Sequence, residues 1–117
     1  MPENQLIILS KKFAVDIVNI STQIKEAKKV AVLVNQLMRC GTSIGANIHE
    51  ANYAASRADF INKLQIALKE CYETAYWLEL LKDTDNLPED QYKQLFAQCS
   101  KLRKILTASI TTAKSNG

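Results

Sequence analysis

The chain has 117 residues, which suffices for one domain around a single hydrophobic core. Its 47% hydrophobic and 23% charged residues are ordinary for a globular protein, and the net charge of +3 neither requires nor excludes a nucleic-acid partner. No apolar run approaches the roughly 20 residues of a membrane span, which argues against a membrane protein. With only three glycines and two prolines, turns are few, and the composition favours long helices.

The N-terminus lacks the basic segment and apolar core of a signal peptide, so we expect a cytoplasmic protein. Cysteine usage agrees, because Cys40, Cys71 and Cys99 are odd in number, far apart and never in a C-x-x-C pair. We expect three reduced, buried thiols that pack as small hydrophobic groups. A zinc site would need about four soft ligands at closer spacing, so we expect no metal.

The first amphipathic segment has apolar residues at steps of three and four from Leu6 to Ile24. This spacing predicts a helix over about residues 4–22, with Asn4 as its cap. The basic connector 25–29 that follows is consistent with either a loop or a continuation of the helix.

The second helix is predicted over about residues 28–53 and the third over about residues 57–83. Ser56 and Asp59 nearly match a capping box at the start of the third helix. This third helix is apolar around most of its circumference, so we expect part of it to be buried against something other than its own bundle.

The turn 84–88 leads into a fourth helix, predicted over about residues 88–113, with Pro88 suited to its first turn. Four long amphipathic helices joined by short turns predict an all-α protein. The expected fold is an antiparallel up-down-up-down four-helix bundle that forms a single domain over residues 1–117.

The run from Arg39 to Ala51 is the most unusual part of the sequence. It keeps helical spacing yet holds Gly41 and Gly45, and an interior glycine costs up to about 1 kcal/mol relative to alanine. We interpret these glycines, with Ala46, as the place where the second and third helices approach each other closely.

Polar residues beside this run are expected to form one structural network between the second and third helices. Antiparallel pairing brings Arg39 to Glu70 or Glu73, with Asn47 joining them, because a buried charge must be paired. The same pairing brings Glu50 near Asn62. The predicted network consists of Arg39, Ser43, Asn47, Glu50, Glu70 and Glu73. A role of these groups in binding a partner is the alternative interpretation.

No set of residues predicts catalysis. His49 is the only histidine, and the sequence has neither a phosphate-binding glycine loop nor the paired Glu-x-x-His motifs of a di-iron bundle. We therefore expect no catalytic residue, no metal site, no cofactor and no enzyme activity.

Two basic clusters are the candidate nucleic-acid contacts. They are Lys25, Lys28 and Lys29 in the connector and Lys101, Arg103 and Lys104 in the fourth helix. We expect the two clusters to lie near the same end of the bundle, where they could merge into one patch. An ordinary solvated charged face is the alternative. Some aromatic residues could stack on bases, but at helical spacing such residues are more often core or subunit interface. These aromatic residues are Tyr53, Tyr72, Tyr76, Trp77 and Tyr92.

The sequence between Arg39 and Leu81 resembles a known family. The resemblance is carried chiefly by Arg39, Thr42-Ser43-Ile44-Gly45-Ala46-Asn47-Ile48, Glu50-Ala51, Asp59-Phe60-Ile61, Lys63-Leu64, Glu70, Glu73-Thr74 and Tyr76-Trp77-Leu78. These motifs are similar to those of the 23S rRNA intervening-sequence proteins, which are bacterial four-helix bundles. The accessory variability determinant of diversity-generating retroelements looks like a relative.

This resemblance covers nearly the whole chain and implies a ring-shaped homopentamer. For the retroelement relatives it also implies a basic surface that binds nucleic acid, and a reverse transcriptase partner. We therefore expect a non-catalytic oligomeric bundle that acts as a binding module for RNA or a ribonucleoprotein. The alternative is a structural oligomeric adaptor that binds a protein partner without nucleic acid.

Overall fold

The structure is a computed structural model that describes the backbone of residues 2–28 and 30–116 and the side chains of residues 5–25 and 30–116. It contains four helices: α1 (Pro2–Lys28), α2 (Ala31–Ala51), α3 (Arg57–Asp83) and α4 (Glu89–Ser115). Consecutive helices pack side by side and α4 closes against α1, in a bundle of 48 × 21 × 19 Å. The predicted all-α four-helix bundle is confirmed. None of the helices in these ranges is long and apolar enough to cross a membrane.

The core is formed by one apolar stripe from each helix. Its almost fully buried members include Phe13, Ile17, Leu37, Ile44, Leu64, Leu78, Leu102 and Leu106. Full burial of one such side chain stabilises the fold by about 1.5–3 kcal/mol, so these stripes supply most of the driving force for helix association.

The first helix is longer than predicted, because its apolar stripe does not stop at residue 22. Ile24 is only 4% exposed and packs into the core, so the connector continues the helix as far as Lys28. The second helix begins at Ala31 rather than 28 and ends at Ala51 rather than 53. The predicted cap residue Asn4 lies within α1, and its side chain is outside the described residues.

The predicted capping box is present at the start of α3. The Ser56 hydroxyl accepts a hydrogen bond from the Asp59 backbone N–H at 3.1 Å, and the Asp59 carboxylate accepts one from the Ala55 N–H at 3.3 Å. The first bond satisfies an amide group that the first turn of a helix leaves without a partner, and the second ties the residue before the cap to that turn, so together they fix the connection between α2 and α3.

The third helix ends in a Schellman motif that sets the direction of α4. Asp85 has a positive φ of 61°, and the Asn86 N–H donates to the Leu81 carbonyl at 2.8 Å. The fourth helix begins at Glu89, one residue later than predicted, and ends at Ser115 rather than 113.

Gly41 and Gly45 lie where α2 approaches α1, so the prediction that they face the third helix was wrong. A Cβ atom at Gly41 would lie 3.0 Å from Cγ1 and Cγ2 of Ile17. A Cβ atom at Gly45 would lie 3.4 Å from the carbonyl oxygen of Ser10. Ala46 is exposed. Small residues on a helix indicate a close approach, but they do not indicate which of two neighbouring helices makes it.

Most of the apolar excess of α3 is absorbed inside the bundle. Leu81 is fully buried, and Ile61, Leu68 and Trp77 are half-buried against the core. The large hydrophobic side chains that α3 leaves exposed are Ile66, Tyr72 and Tyr76. The first helix exposes three aliphatic side chains on its outer side, namely Ile8, Val15 and Val18.

Candidate functional site

The polar seam between α2 and α3 centres on Arg39. Its guanidinium donates to Glu70 at 3.3 Å and also to Glu73, while its Nε donates to the Gln36 side chain at 3.3 Å. The Trp77 indole N–H donates to the same Glu73 oxygen at 3.3 Å. One arginine thus joins two carboxylates on successive turns of α3, which fixes the register of the two helices.

Asn47 does not join this cluster, contrary to the prediction. Its amide donates to the carbonyl and hydroxyl oxygens of Ser43, at 2.9 and 3.1 Å, one turn earlier in α2. Asn47 follows Arg39 by eight residues, which is about 12 Å along the helix and beyond the reach of a short amide side chain. The predicted single network of six residues is therefore divided.

Glu50 forms the third part of the seam. Its carboxylate pairs with Lys63 at 3.0 Å rather than with Asn62. Because residues 50 and 63 lie next to the turn, this pair closes the end of the α2–α3 hairpin. All three parts of the seam join groups within the chain, and the two that link α2 to α3, at Arg39 and at Glu50, hold the hairpin together.

The three thiols lie inside the bundle and are free. Burial raises the pKa of Cys40 to about 11, and its Sγ donates to the Leu37 carbonyl at 3.5 Å. A hydrogen bond with Cys99, together with burial, raises the pKa of Cys71 as well. A thiol acts as a nucleophile or metal ligand only when it is deprotonated, so Cys40 and Cys71 pack as small hydrophobic groups at neutral pH.

The only histidine is exposed near the end of α2. The ring of His49 lies 5.3 Å from that of Tyr53, which is also exposed. Within residues 2–28 and 30–116, the described side chains offer no group of three His, Cys, Asp or Glu residues placed to hold a metal ion.

The basic residues of α4 are spread around the side of the helix that faces away from the core. Lys101 and Lys104 are exposed, and the Arg103 guanidinium lies 5.4 Å from the centre of the Tyr72 ring on α3. Lys12 of α1 faces Lys101 across a groove of about 420 Å³. Lys12 is paired with Asp16 at 2.8 Å.

Lys25, whose side chain is the only one of its cluster that the structure describes, lies apart from the basic cluster of α4, contrary to the prediction that the two clusters share one end of the bundle. The first and fourth helices are antiparallel, with Gln98 donating to Asp16 at 3.2 Å. This pairing places Lys25, which is exposed, beside the start of α4. Lys25 is therefore about 18 Å along the axis from Lys101. The side chains of Lys28 and Lys29 lie outside the described residues.

The sequence did not lead us to predict that the tyrosines of α3 are exposed rather than part of the core. Tyr72 and Tyr76 are 57% and 58% exposed on the outer side of the helix. The signal is present in the sequence, because at 3.6 residues per turn both positions fall about 100° or more around the helix from the stripe of Leu64, Cys71 and Leu78.

A groove of about 610 Å³ lies near the C-terminal end of α4. Its lining includes the apolar residues Phe60 and Ile105, with Lys104 and Arg57 also beside it. The Arg57 guanidinium donates to the Ala113 carbonyl at 3.2 Å and so satisfies one of the unpaired carbonyl groups of the last turn of α4.

Comparisons with known proteins place this bundle in a family. The model of the family described as "23S rRNA-intervening sequence protein" matches residues 3–108. A crystal structure from Bacteroides thetaiotaomicron, described as a protein of unknown function from the S23 ribosomal protein family, is 47% identical. The alignment covers 95% of this chain and 99% of that chain, with a TM-score of 0.93. No curated protein matches the chain. Because the family model spans most of its length, this protein belongs to the 23S rRNA-intervening sequence protein family.

Proposed function

We propose that this protein is a non-catalytic, homo-oligomeric binding module that associates with RNA or a ribonucleoprotein through the outer face of α4. The family description refers to 23S rRNA, and the description of the similar crystal structure refers to a ribosomal protein family. Both descriptions favour an RNA-associated role. We also propose that the protein is cytoplasmic and that it is a homopentamer, the assembly that the family resemblance implies.

The observation that carries the proposal is the charge of α4. After Asp90 this helix contains five basic residues and no acidic one. Among the described residues, no carboxylate lies within 4 Å of the amino groups of Lys101 or Lys104. Unpaired amino groups on one exposed face form the electrostatic footprint that phosphate groups recognise.

Titration of a fluorescent single-stranded RNA of about 12 nucleotides tests the proposal, at about 50 mM and about 200 mM salt. Each phosphate contact releases counterions, so binding weakens as the salt concentration rises. Substitution K101Q/K104Q is expected to weaken binding at low salt. It is also expected to reduce the slope of log affinity against log salt by about 1.4, the value for two contacts to a single strand.

Lys63→Gln is the control, because it makes the same lysine-to-glutamine change once, in the α2–α3 seam, where Lys63 is already paired with Glu50. The control is expected to bind RNA like the unmodified protein. Absence of binding at about 50 mM salt would exclude the proposed function. An RNA affinity of K101Q/K104Q equal to that of the unmodified protein would exclude α4 as the contact surface.

The alternative function is an oligomeric adaptor that binds a protein partner without nucleic acid. It is favoured by Ile8, which is 68% exposed on α1, and by Val15 and Val18 on the same side. Exposed aliphatic side chains aligned along one helix are typical of protein contact surfaces. Under this alternative, a partner stays bound after nuclease treatment and binds the K101Q/K104Q variant equally well.

A further inference from the structure

The outer side of α3 presents two aromatic rings to solvent. Tyr72 and Tyr76 are each more than half exposed and lie one turn apart, so their Cβ atoms are about 5–6 Å from each other. Tyr76 packs edge-on against Trp77, with ring centres 5.2 Å apart and planes at 73°. Trp77 is in turn held by its hydrogen bond to Glu73, so the ring that packs against Tyr76 is itself fixed in position.

Cationic side chains border these rings on the side of α4. Arg103 lies over the ring of Tyr72, and Lys69 is exposed one turn before it on α3. The hydrogen bond from the Cys99 thiol to the Cys71 carbonyl, at 3.3 Å, sets the register of α3 and α4. In this antiparallel register Lys104 lies level with Ile66, about 4.5 Å along the helix axis from Lys69. We call the surface formed by Lys69, Tyr72, Tyr76, Arg103 and Lys104 the α3–α4 face.

Acidic groups border the α3–α4 face rather than interrupt it. Glu73 lies one turn from both Lys69 and Tyr76, but its carboxylate, like that of Glu70, is bound by Arg39 of α2. Glu79 is exposed one turn beyond Tyr76 and marks the end of the face. A nucleic acid on this surface would therefore have its phosphates near Lys69, Arg103 and Lys104, with its bases over the two rings.

We infer that the α3–α4 face is a stacking platform for unpaired bases and that its ligand is single-stranded RNA. This inference rests on the proposed function, because it specifies which kind of RNA α4 contacts. In a duplex the bases are stacked on one another inside the helix, so a protein ring cannot stack on their faces. An unpaired base can stack on tyrosine whatever its sequence, while nearby cations bind the backbone.

The experiment compares two forms of one RNA: a labelled strand of about 12 nucleotides, alone and annealed to its complement. Affinities are measured at low salt for the unmodified protein and for Y72L/Y76L. The single strand is expected to bind at least tenfold more tightly than the duplex. Y72L/Y76L is expected to lose at least tenfold in affinity for the single strand and to retain its affinity for the duplex.

Two further variants separate stacking from other roles of the tyrosines. Y72F/Y76F keeps both rings and is expected to bind the single strand like the unmodified protein. Tyr53→Leu removes another exposed ring, at the end of α2, and is expected to change nothing. Circular dichroism and light scattering establish that each variant keeps the fold and the assembly state of the unmodified protein.

Three outcomes would overturn the inference. The first is equal affinity of the unmodified protein for strand and duplex. The second is a Y72L/Y76L variant whose affinity for the single strand is unchanged, or whose affinities for the single strand and the duplex fall by the same factor. The third is a changed assembly state of Y72L/Y76L, which would identify the tyrosines as a contact between copies. Failure of the unmodified protein to bind either RNA would exclude the proposed function as well.

Discussion

At the residue scale, Gly41 and Gly45 have different packing constraints although both lie inside α2. The hypothetical Cβ of Gly41 meets two carbons of Ile17 at 3.0 Å, a distance that real Cβ contacts essentially never fall below. Ile17 is completely buried, so its branched side chain cannot move aside without disturbing the core. The nearest atom to a Cβ at Gly45 is 3.4 Å away, which is ordinary contact.

Gly41→Ala is therefore expected to destabilise the protein by about 1–3 kcal/mol, the usual cost of overpacking a core. Gly45→Ala is expected to be neutral or to stabilise by up to about 1 kcal/mol, because alanine favours the helix. Urea unfolding of the two variants measures both effects. Equal effects of the two substitutions would contradict the assignment of Gly41 as the tighter contact.

The buried thiol of Cys40 predicts a change in stability at alkaline pH. Burial raises its pKa from 9.0 to about 11, so the folded protein holds this proton more tightly than the unfolded chain does. The contribution to stability is complete below pH 9 and is lost as the pH rises from 9 towards 11.

Cys40→Ala removes this titration. Between about pH 8 and about pH 10, the free energy of unfolding is expected to fall less for Cys40→Ala than for the unmodified protein. Chemical unfolding at the two pH values measures the free energy of unfolding. The fall is calculated for each protein from its own value at the lower pH. An equal or larger fall in the variant would show that Cys40 is not the group responsible.

At the scale of the elements, the α2–α3 hairpin is held by the pairing of Arg39 with Glu70 and Glu73. Arg39 is half exposed, but the Glu70 side chain is only 13% exposed. Because the Glu70 carboxylate has lost most of its contact with water, it depends on the arginine to balance its negative charge. Arg39→Gln is expected to destabilise the protein by about 1 kcal/mol, and the loss is expected to shrink at high salt.

Lys93→Gln is the control for this prediction. Lys93 and Glu89 are 3.8 Å apart and both are largely exposed, so their pair is expected to contribute less than about 0.5 kcal/mol. Thermal unfolding at low and high salt compares the two variants. A loss in Lys93→Gln as large as that in Arg39→Gln would mean that the bridge between α2 and α3 does not stabilise the hairpin.

Helix positions follow from the spacing of apolar residues, and their ends follow from tertiary contacts. The boundaries of α3 agree with the prediction because local signals mark both ends, namely the capping box of Ser56 and Asp59 at the start and the Schellman motif at Asp85 at the end. The end of α1 was predicted six residues too early. Ile24 extends the buried stripe, and its contribution depends on the neighbouring helices rather than on local sequence.

At the scale of the whole molecule, the aliphatic side chains on the outer side of α1 predict a contact between copies. I8K/V15K is expected to dissociate the assembly, because each lysine would place a charge where apolar surface is buried. Light scattering of the unmodified protein and the variant gives the masses. Val32→Lys changes an aliphatic residue on α2 that is more exposed than either of these and is the control.

A monomeric mass for the unmodified protein would contradict the proposed homo-oligomer. An assembly that persists in I8K/V15K but dissociates in Val32→Lys would place the contact on α2 instead. Because the rings of Tyr72 and Tyr76 lie on α3, the inferred RNA surface and the contact on α1 can be tested independently.

The sequence by itself determined the all-α class, the number of helices, the antiparallel order and most of the core, because the 3.6-residue period fixes which side of each helix is apolar. It also identified the family. Only the tertiary structure decided that Gly41 faces Ile17 of α1, that Asn47 stays with Ser43, and that Lys25 lies away from Lys101. The physical reason is that periodicity defines a direction around one helix axis, whereas these facts depend on the register and rotation of neighbouring helices.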